Sequence, residues 1–288
     1  MKSSSTCLLA GLVAVVMAGT ALAQLQLLPD SQPQAVFGGG RRALELRWRN
    51  AGNETMNGDV SARLLQASSA TVVLVSDSPW KKLQVLPGQT VVESATLDFP
   101  AVRAETRFLI QWIESVSNIV GRLEVLVYPT NLLQELKALA GEQENALGIY
   151  DPQNQLKSVL KTVSVEFADL EDVGLEGFHG KLAIVGPFAA KKQMREGLPA
   201  QIELLAKKGA SVVWLQPPPG KRDKLSPSFY TVPVGEAAVV VAQAELVANL
   251  AEHPQSQLNL IHFARLALRP EPPRLPSLSP QPRNPNEL

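Results

Sequence analysis

The chain has 288 residues, enough for two ordinary domains, and its 45% hydrophobic and 19% charged residues are typical of a globular protein. Its 27 basic residues balance 27 acidic ones. This neutrality argues against a protein that binds nucleic acid or an anionic membrane surface, because both depend on clustered positive charge. A wholly disordered chain is also excluded, because such chains lack apolar residues.

The first 23 residues have the pattern of an export signal. Lys2 precedes an apolar run over residues 7–18, and Ala21 and Ala23 form the small-x-small pattern that signal peptidase cleaves. The run is shorter than the ~20 residues of a transmembrane helix. We therefore expect a secreted or periplasmic protein with no membrane span after cleavage. The one cysteine lies in this leader, so the mature chain would have no disulfide, thiolate metal site or cysteine nucleophile.

From about Gln34 to Tyr128, within a predicted domain of residues 24–128, the sequence shows the period-two alternation of β-strands. Leu44, Leu46 and Trp48 alternate with charged residues, and similar runs follow as far as residue 127. Some seven short strands separated by turn signals predict an immunoglobulin-like β-sandwich. Trp48 and Trp112 fall on the apolar side of their strands, which favours core packing over a sugar-stacking role. Trp80, in a turn, is the better candidate for an exposed aromatic side chain.

The pattern changes at Pro129. Residues 129–146 contain leucines at helical spacing and predict a linker helix. Residues 147–268 alternate apolar strands with helices, which predicts parallel pairing through right-handed crossovers in a flavodoxin-like, three-layer α/β domain. Residues 269–288 are rich in proline and predict a disordered tail.

Ligands of open parallel sheets bind outside the carboxyl ends of the strands. This rule selects a set of candidate ligand-binding residues: Asp151, Gly186, Pro187, Phe188, Gln216 and Gln243. The long loop after the fourth strand adds Lys221 and Arg222. Such a basic pair either recognises an anionic group or keeps the loop solvated.

The motifs LGIYDP, KLAIVGP, LLAKKGASVVWLQ and VVVAQAEL, followed by the helix LNLIHFARLAL, suggest a family. Through them residues 147–268 resemble class I glutamine amidotransferase-like domains, especially the degenerate versions attached to secreted glycoside hydrolases of the β-galactosidase type. The preceding sandwich resembles the immunoglobulin-like modules that accompany such domains. The resemblance implies an amidotransferase-like α/β fold and a link to carbohydrate processing.

In active amidotransferases of this kind the fourth strand leads into a cysteine on a strained turn. The matching position here is Leu215 or Gln216, and residues 217–219 are prolines. Proline rings lack an N–H group and hold φ near −65°, so they can neither form that turn nor donate to an oxyanion. The resemblance thus implies a pseudoenzyme without catalytic residues.

Other chemistry finds little support in the sequence. The three histidines, His179, His253 and His262, share no metal-ligand spacing, so neither a metal nor a cofactor is expected. The acidic residues at 169–172 are interpreted as a solvated helix cap. Two carboxylates near each other could still catalyse hydrolysis, with Asp151 and Glu166 as candidates.

The sequence therefore predicts a secreted, non-catalytic binding or assembly module, linked to carbohydrate processing, with a protein or glycan partner. One alternative is a carboxylate-dependent hydrolase acting on glycans or amides. A second alternative is a structural protein of the cell envelope.

Overall fold

The computed structural model describes residues 25–30, 33–68, 71–115, 118–141, 143–218 and 227–269, and the structural statements below concern these ranges. The predicted leader lies outside them, as does the proline-rich tail after Arg269. Within them the chain forms three β-sheets and five α-helices. No helix in these ranges is both long and apolar enough to cross a bilayer.

The first half of the described chain consists of strands. These are β1 (Leu25–Leu27), β2 (Gln34–Phe37), β3 (Gly40–Asn50), β4 (Met56–Ala67), β5 (Val72–Val85), β6 (Thr90–Phe99), β7 (Thr106–Glu114) and β8 (Asn118–Tyr128). One sheet has the order β1-β3-β6, and the other has the order β2-β8-β7-β4-β5. Both sheets contribute side chains to one apolar core, so they pack face to face.

Aromatic rings fill the centre of this core. In β3 the alternation turns Leu44, Leu46 and Trp48 inward and leaves the intervening side chains exposed. Trp112, from β7 in the opposite sheet, meets Trp48 edge-on with ring centroids 5.8 Å apart. The prediction that both tryptophans pack in the core is confirmed. Trp80, expected at the surface, is instead partly buried, and its ring lies 4.9 Å from that of Trp112.

The prediction of an immunoglobulin-like sandwich is wrong. That fold is built from antiparallel strands, whereas β2 pairs in parallel with β8. The cause is a sharp corner between β2 and β3, which places these successive strands in different sheets. Gly39 has φ +79°, and a Cβ on Gly38 would lie 2.5 Å from the Pro100 carbonyl oxygen, so the corner requires both glycines. The alternation of apolar and polar residues identifies the buried face of a strand, but it does not show that the chain passes from one sheet to the other between β2 and β3.

The second half alternates strands and helices. Its elements are α1 (Gln134–Ala140), β9 (Leu147–Tyr150), α2 (Gln155–Thr162), β10 (Ala168–Asp169), α3 (Leu170–Val173), β11 (Leu182–Val185), α4 (Leu198–Lys207), β12 (Ser211–Gln216), β13 (Phe229–Val234), β14 (Ala237–Gln243) and α5 (Pro254–Leu268). The sheet order is β10-β9-β11-β12-β14-β13. Helices α1, α2 and α5 contribute to the apolar cluster on one face, and α3 and α4 contribute to the cluster on the other.

The prediction of a flavodoxin-like second domain is also wrong. The sheet is mixed, because β13 runs antiparallel to β14 at one edge, and β10 at the other edge has only two residues. The apolar sequence VSVEF, residues 163–167, does not form a strand but begins with a turn in which Ser164 has φ 57°. The described chain is therefore mixed α/β with three sheets, two of which contain parallel pairs.

Candidate functional site

Most of the predicted site residues lie where expected, at the carboxyl ends of neighbouring parallel strands. Asp151 directly follows β9, and residues 186–188 follow β11. Gln216 and Gln243 end β12 and β14 and are register partners. Lys221 and Arg222 lie outside the described residues. The sheet thus brings together six of the eight predicted positions, but their side chains do different things.

Residues 186–188 determine the path of the chain after β11, and their side chains are not available to a ligand. The Gly186 N–H donates to the Tyr150 carbonyl oxygen at 2.8 Å, and a Cβ on Gly186 would lie 2.6 Å from the Leu215 carbonyl oxygen. The peptide bond before Pro187 is cis. Phe188 is fully buried, and its N–H donates to the Leu215 carbonyl oxygen at 3.2 Å. This segment therefore closes the end of the sheet.

The two glutamines hold the end of the β12 and β14 pair. The Gln243 N–H donates to the Ser228 carbonyl oxygen at 3.0 Å, and its side-chain amide reaches the Pro227 carbonyl oxygen at 3.5 Å. Gln216 is partly buried and leads into Pro217, which is buried. Neither glutamine lines the cleft described below.

Asp151 acts as a helix cap. Its carboxylate oxygen Oδ2 accepts hydrogen bonds from the N–H groups of Leu156 and Lys157, at 2.6 and 3.0 Å, at the start of α2. The residue is 1% exposed, and its other oxygen, Oδ1, is buried without a hydrogen-bond partner in the described chain. Burial raises the pKa of this carboxyl above its usual value, against the opposing effect of the two N–H donors and the Lys157 charge. Asp151 is therefore enclosed.

A buried ion-pair network lies beside Asp151. The Lys157 ammonium Nζ lies 2.7 Å from the Asp169 carboxylate and 2.6 Å from that of Glu171, and its side chain is 7% exposed. Burial alone would lower the pKa of Lys157, but hydrogen bonds to both carboxylates raise it above its usual value. The N–H of Asp151 also donates to Glu171, at 3.0 Å. This network holds the ends of β9 and β10 together.

Sequence reasoning did not find this network. It interpreted the acidic residues at 169–172 as a solvated cap, and Asp169 does cap α3 by accepting the Glu171 N–H. The missed partner was Lys157, which is separated from Asp169 by twelve positions and is brought close by the parallel pairing of β9 and β10. The available signal was weak: a lysine among the apolar residues of α2 and two acids just after the next strand.

A cleft opens next to the network, and we call it the strand-end cleft. Its volume is about 460 Å³. Five polar or aromatic side chains line this cleft: Tyr150, Glu171, Glu176, Arg195 and Gln201. Leu170 and residues 173–175 and 177 complete the lining. Two other clefts, of about 490 and 500 Å³, adjoin residues 143–146 before β9, and the smaller of the two also reaches Asp169 at the end of the short edge strand β10. The strand-end cleft adjoins the end of β9, a strand with parallel neighbours on both sides, and so meets the expectation for ligand binding in a parallel sheet.

The side chains that line the strand-end cleft limit the chemistry available there. None of its described residues is a serine, threonine or histidine, so the lining offers no pair of hydroxyl nucleophile and imidazole base. Within the described ranges, no three His, Cys, Asp or Glu side chains are grouped to hold a metal ion. Glu166, the other carboxylate considered, is exposed and pairs with Lys137 at 2.6 Å, away from Asp151.

Comparisons with known proteins give little further guidance. No protein-family model and no curated protein matches the chain. Among solved structures, a β-glucosidase from Listeria innocua in complex with glucose is 15% identical, with a TM-score of 0.27 over 37% of this chain and 16% of its own. The Pseudomonas fluorescens alkylpurine DNA glycosylase AlkC is 11% identical, with a TM-score of 0.28 over 37% and 31%.

The sporulation control protein Spo0M from Bacillus subtilis is 10% identical, with a TM-score of 0.27 over 41% of this chain and 55% of its own. The chain thus spans less than two thirds of each of these three proteins. Likenesses at this level carry neither a fold assignment nor a function.

Proposed function

We propose that the protein is an exported, non-catalytic module that binds a ligand or partner at the strand-end cleft in the context of carbohydrate processing. The observation that carries the absence of catalysis is the end of β12. There Gln216 runs into Pro217 and Pro218, where the resembled amidotransferase domains place their nucleophile. Neither proline has an N–H group to stabilise an oxyanion, and Gln216 is no nucleophile.

The positions of Asp151 and Glu166 argue against hydrolysis by that pair. A glycosidase needs two carboxyl groups ~5 to 9.5 Å apart across a cleft. Asp151 is enclosed and caps α2, and Glu166 is exposed on a different cleft. These two residues, the pair considered for a carboxylate-dependent hydrolase, therefore do not face a common substrate. A purely structural envelope protein would not need the strand-end cleft.

A substrate panel tests the absence of catalysis. The purified protein is incubated with chromogenic glycosides and amides, and we expect no turnover above that of a mock purification. Turnover that is abolished by Asp151→Asn, in a variant whose thermal unfolding midpoint matches that of the wild type, would overturn the proposal. Export is tested by sequencing the N terminus of the protein recovered from outside the cytoplasm, which we expect to begin at Gln24.

A further inference from the structure

The strand-end cleft combines an aromatic ring with donors and acceptors of hydrogen bonds. We propose that it binds a neutral, hydroxyl-rich ligand, namely a saccharide of one or two sugar units. This inference rests on the proposed function, because it names the ligand class of the same cleft. Its volume of about 460 Å³ lies at the lower end of the range for small-molecule sites, so it suits a short saccharide rather than a long glycan.

The charges around the cleft disfavour an anionic ligand. Lys157, Arg195 and Lys208, whose ammonium donates to the Glu176 carbonyl oxygen at 2.8 Å, supply three positive charges. Four carboxylates, those of Asp151, Asp169, Glu171 and Glu176, lie on or directly behind the walls. One negative charge is therefore in excess, which repels a phosphate or carboxylate. A neutral ligand meets no such penalty.

Glu171 is positioned in advance to accept hydrogen bonds from a ligand. Its oxygen Oε1 is held by the Lys157 ammonium at 2.6 Å and by the Asp151 N–H at 3.0 Å. Its other oxygen, Oε2, accepts no hydrogen bond from any described residue. A carboxylate held at one oxygen and open at the other binds a hydroxyl group with little loss of side-chain entropy.

The hydrogen-bond donors that a sugar also needs come from the segment between β11 and α4 and from α4 itself. Arg195 is exposed, and its guanidinium makes no ion pair or hydrogen bond with any described residue. Gln201, on α4, adds an amide that can both donate and accept. Adjacent hydroxyl groups of a sugar act as donors and acceptors at once, so they can bind both the Glu171 carboxylate and the Arg195 guanidinium.

Tyr150 supplies an aromatic surface. It is partly buried, and its ring centroid lies 6.4 Å from that of the buried Phe188, which restricts its movement. Its exposed part lines the cleft. An aromatic ring fixed in this way can pack against the C–H face of a sugar while its hydroxyl remains available.

The test is isothermal titration of the full mature chain with glucose, galactose, cellobiose and glucuronate. We expect at least one neutral sugar to bind saturably and glucuronate to bind more weakly than glucose. Arg195→Ala should weaken the binding about tenfold or more, because it removes charged hydrogen bonds. Lys191→Ala is the matched control, since Lys191 is exposed nearby but does not line the cleft, and it should leave binding unchanged.

Three outcomes would overturn the inference: no neutral sugar of the panel binds, glucuronate binds more tightly than glucose, or Arg195→Ala binds as well as Lys191→Ala does. Arg195 is exposed, so its loss should leave the thermal unfolding midpoint unchanged and the comparison valid. Failure here leaves the proposal of a non-catalytic module intact. That proposal fails separately, through turnover in the substrate panel.

Discussion

The two halves of the molecule treat buried polar groups differently. The described sandwich half buries uncharged polar groups: the Asn50 amide, satisfied by the carbonyl oxygens of Glu54 and Val85 and by the Gly52 N–H, and the indole N–H groups of Trp48 and Trp112, which have no hydrogen-bond partner there. The second half buries charged groups, Asp151 and Lys157, at its strand ends. Burying charge is costly and is concentrated at functional sites. The comparison therefore directs functional experiments to the second half and stability experiments to the first.

The largest effect should come from emptying the aromatic core. We expect Trp48→Ala to lower the free energy of unfolding by about 3–5 kcal/mol, because Trp48 is fully buried against Trp112. Trp80→Ala is the matched control and should cost less, since Trp80 is only partly buried. Denaturant unfolding measures both. An equal loss for the two variants would mean that Trp80 is as central to the core as Trp48.

A smaller effect should come from the charged network. We expect Lys157→Met to cost about 2 kcal/mol, because it leaves two carboxylates without their buried partner. The figure is below the usual cost of breaking a buried pair because both carboxylates are about one-third exposed. Lys161→Met, at an exposed position of the same helix, is the control and should cost far less, because Lys161 acts on Asp169 through its charge alone, without a hydrogen bond. Equal effects of the two changes would contradict a structural role for the network.

The same variant should change the response to acid. Burial raises the pKa of Asp169, but the Lys157 hydrogen bond, the Glu171 N–H and nearby lysines outweigh this and hold it below its usual value. Its stabilising effect is therefore present above about pH 4, the unfolded value, and is lost as the pH falls through the lower folded value. Asp151 has a raised pKa and acts in the opposite sense, losing stability as the pH rises. Lys157→Met should thus show a shallower loss of stability below about pH 4.

The smallest effect should come from the edge strand β5. Residues 72–75 are apolar yet 63%, 56%, 55% and 39% exposed, whereas Val85 at the other end of the same strand is fully buried. We expect Val73→Ala to change the free energy of unfolding by less than about 0.5 kcal/mol. Val85→Ala should cost about 2 kcal/mol, because it removes two buried methyl groups and leaves a cavity. A large loss for Val73→Ala would indicate that another surface covers this edge.

Local rules predicted local features well. Alternation in the sequence correctly identified which side chains of β3 are buried. Pairing between distant segments was not predictable in this way. The parallel contact of β2 with β8 joins residues about ninety positions apart, and no periodicity within either strand encodes its direction.

The sequence predicted which strand ends the candidate site adjoins, but not which side chains line it. The strand-end rule pointed to Asp151, but the orientation of its carboxylate depends on α2, whose first N–H groups it accepts. Arg195 and Gln201 were missed because they lie beyond β11, on the segment before α4 and on α4 itself. The path of both depends on how α3 and α4 pack on one face of the sheet. Side chains converging from separate segments leave no common spacing in the sequence.

The corner at Gly38 and Gly39 also determines how the sandwich bears mechanical load. Because β2 and β8 run in the same direction, tension between residues 33 and 129 pulls one strand backward along its length and the other forward. The four paired residues then resist in shear, all at once, instead of peeling apart singly. The parallel pair thus ties the segment that follows β1 to the segment that leads into the second half.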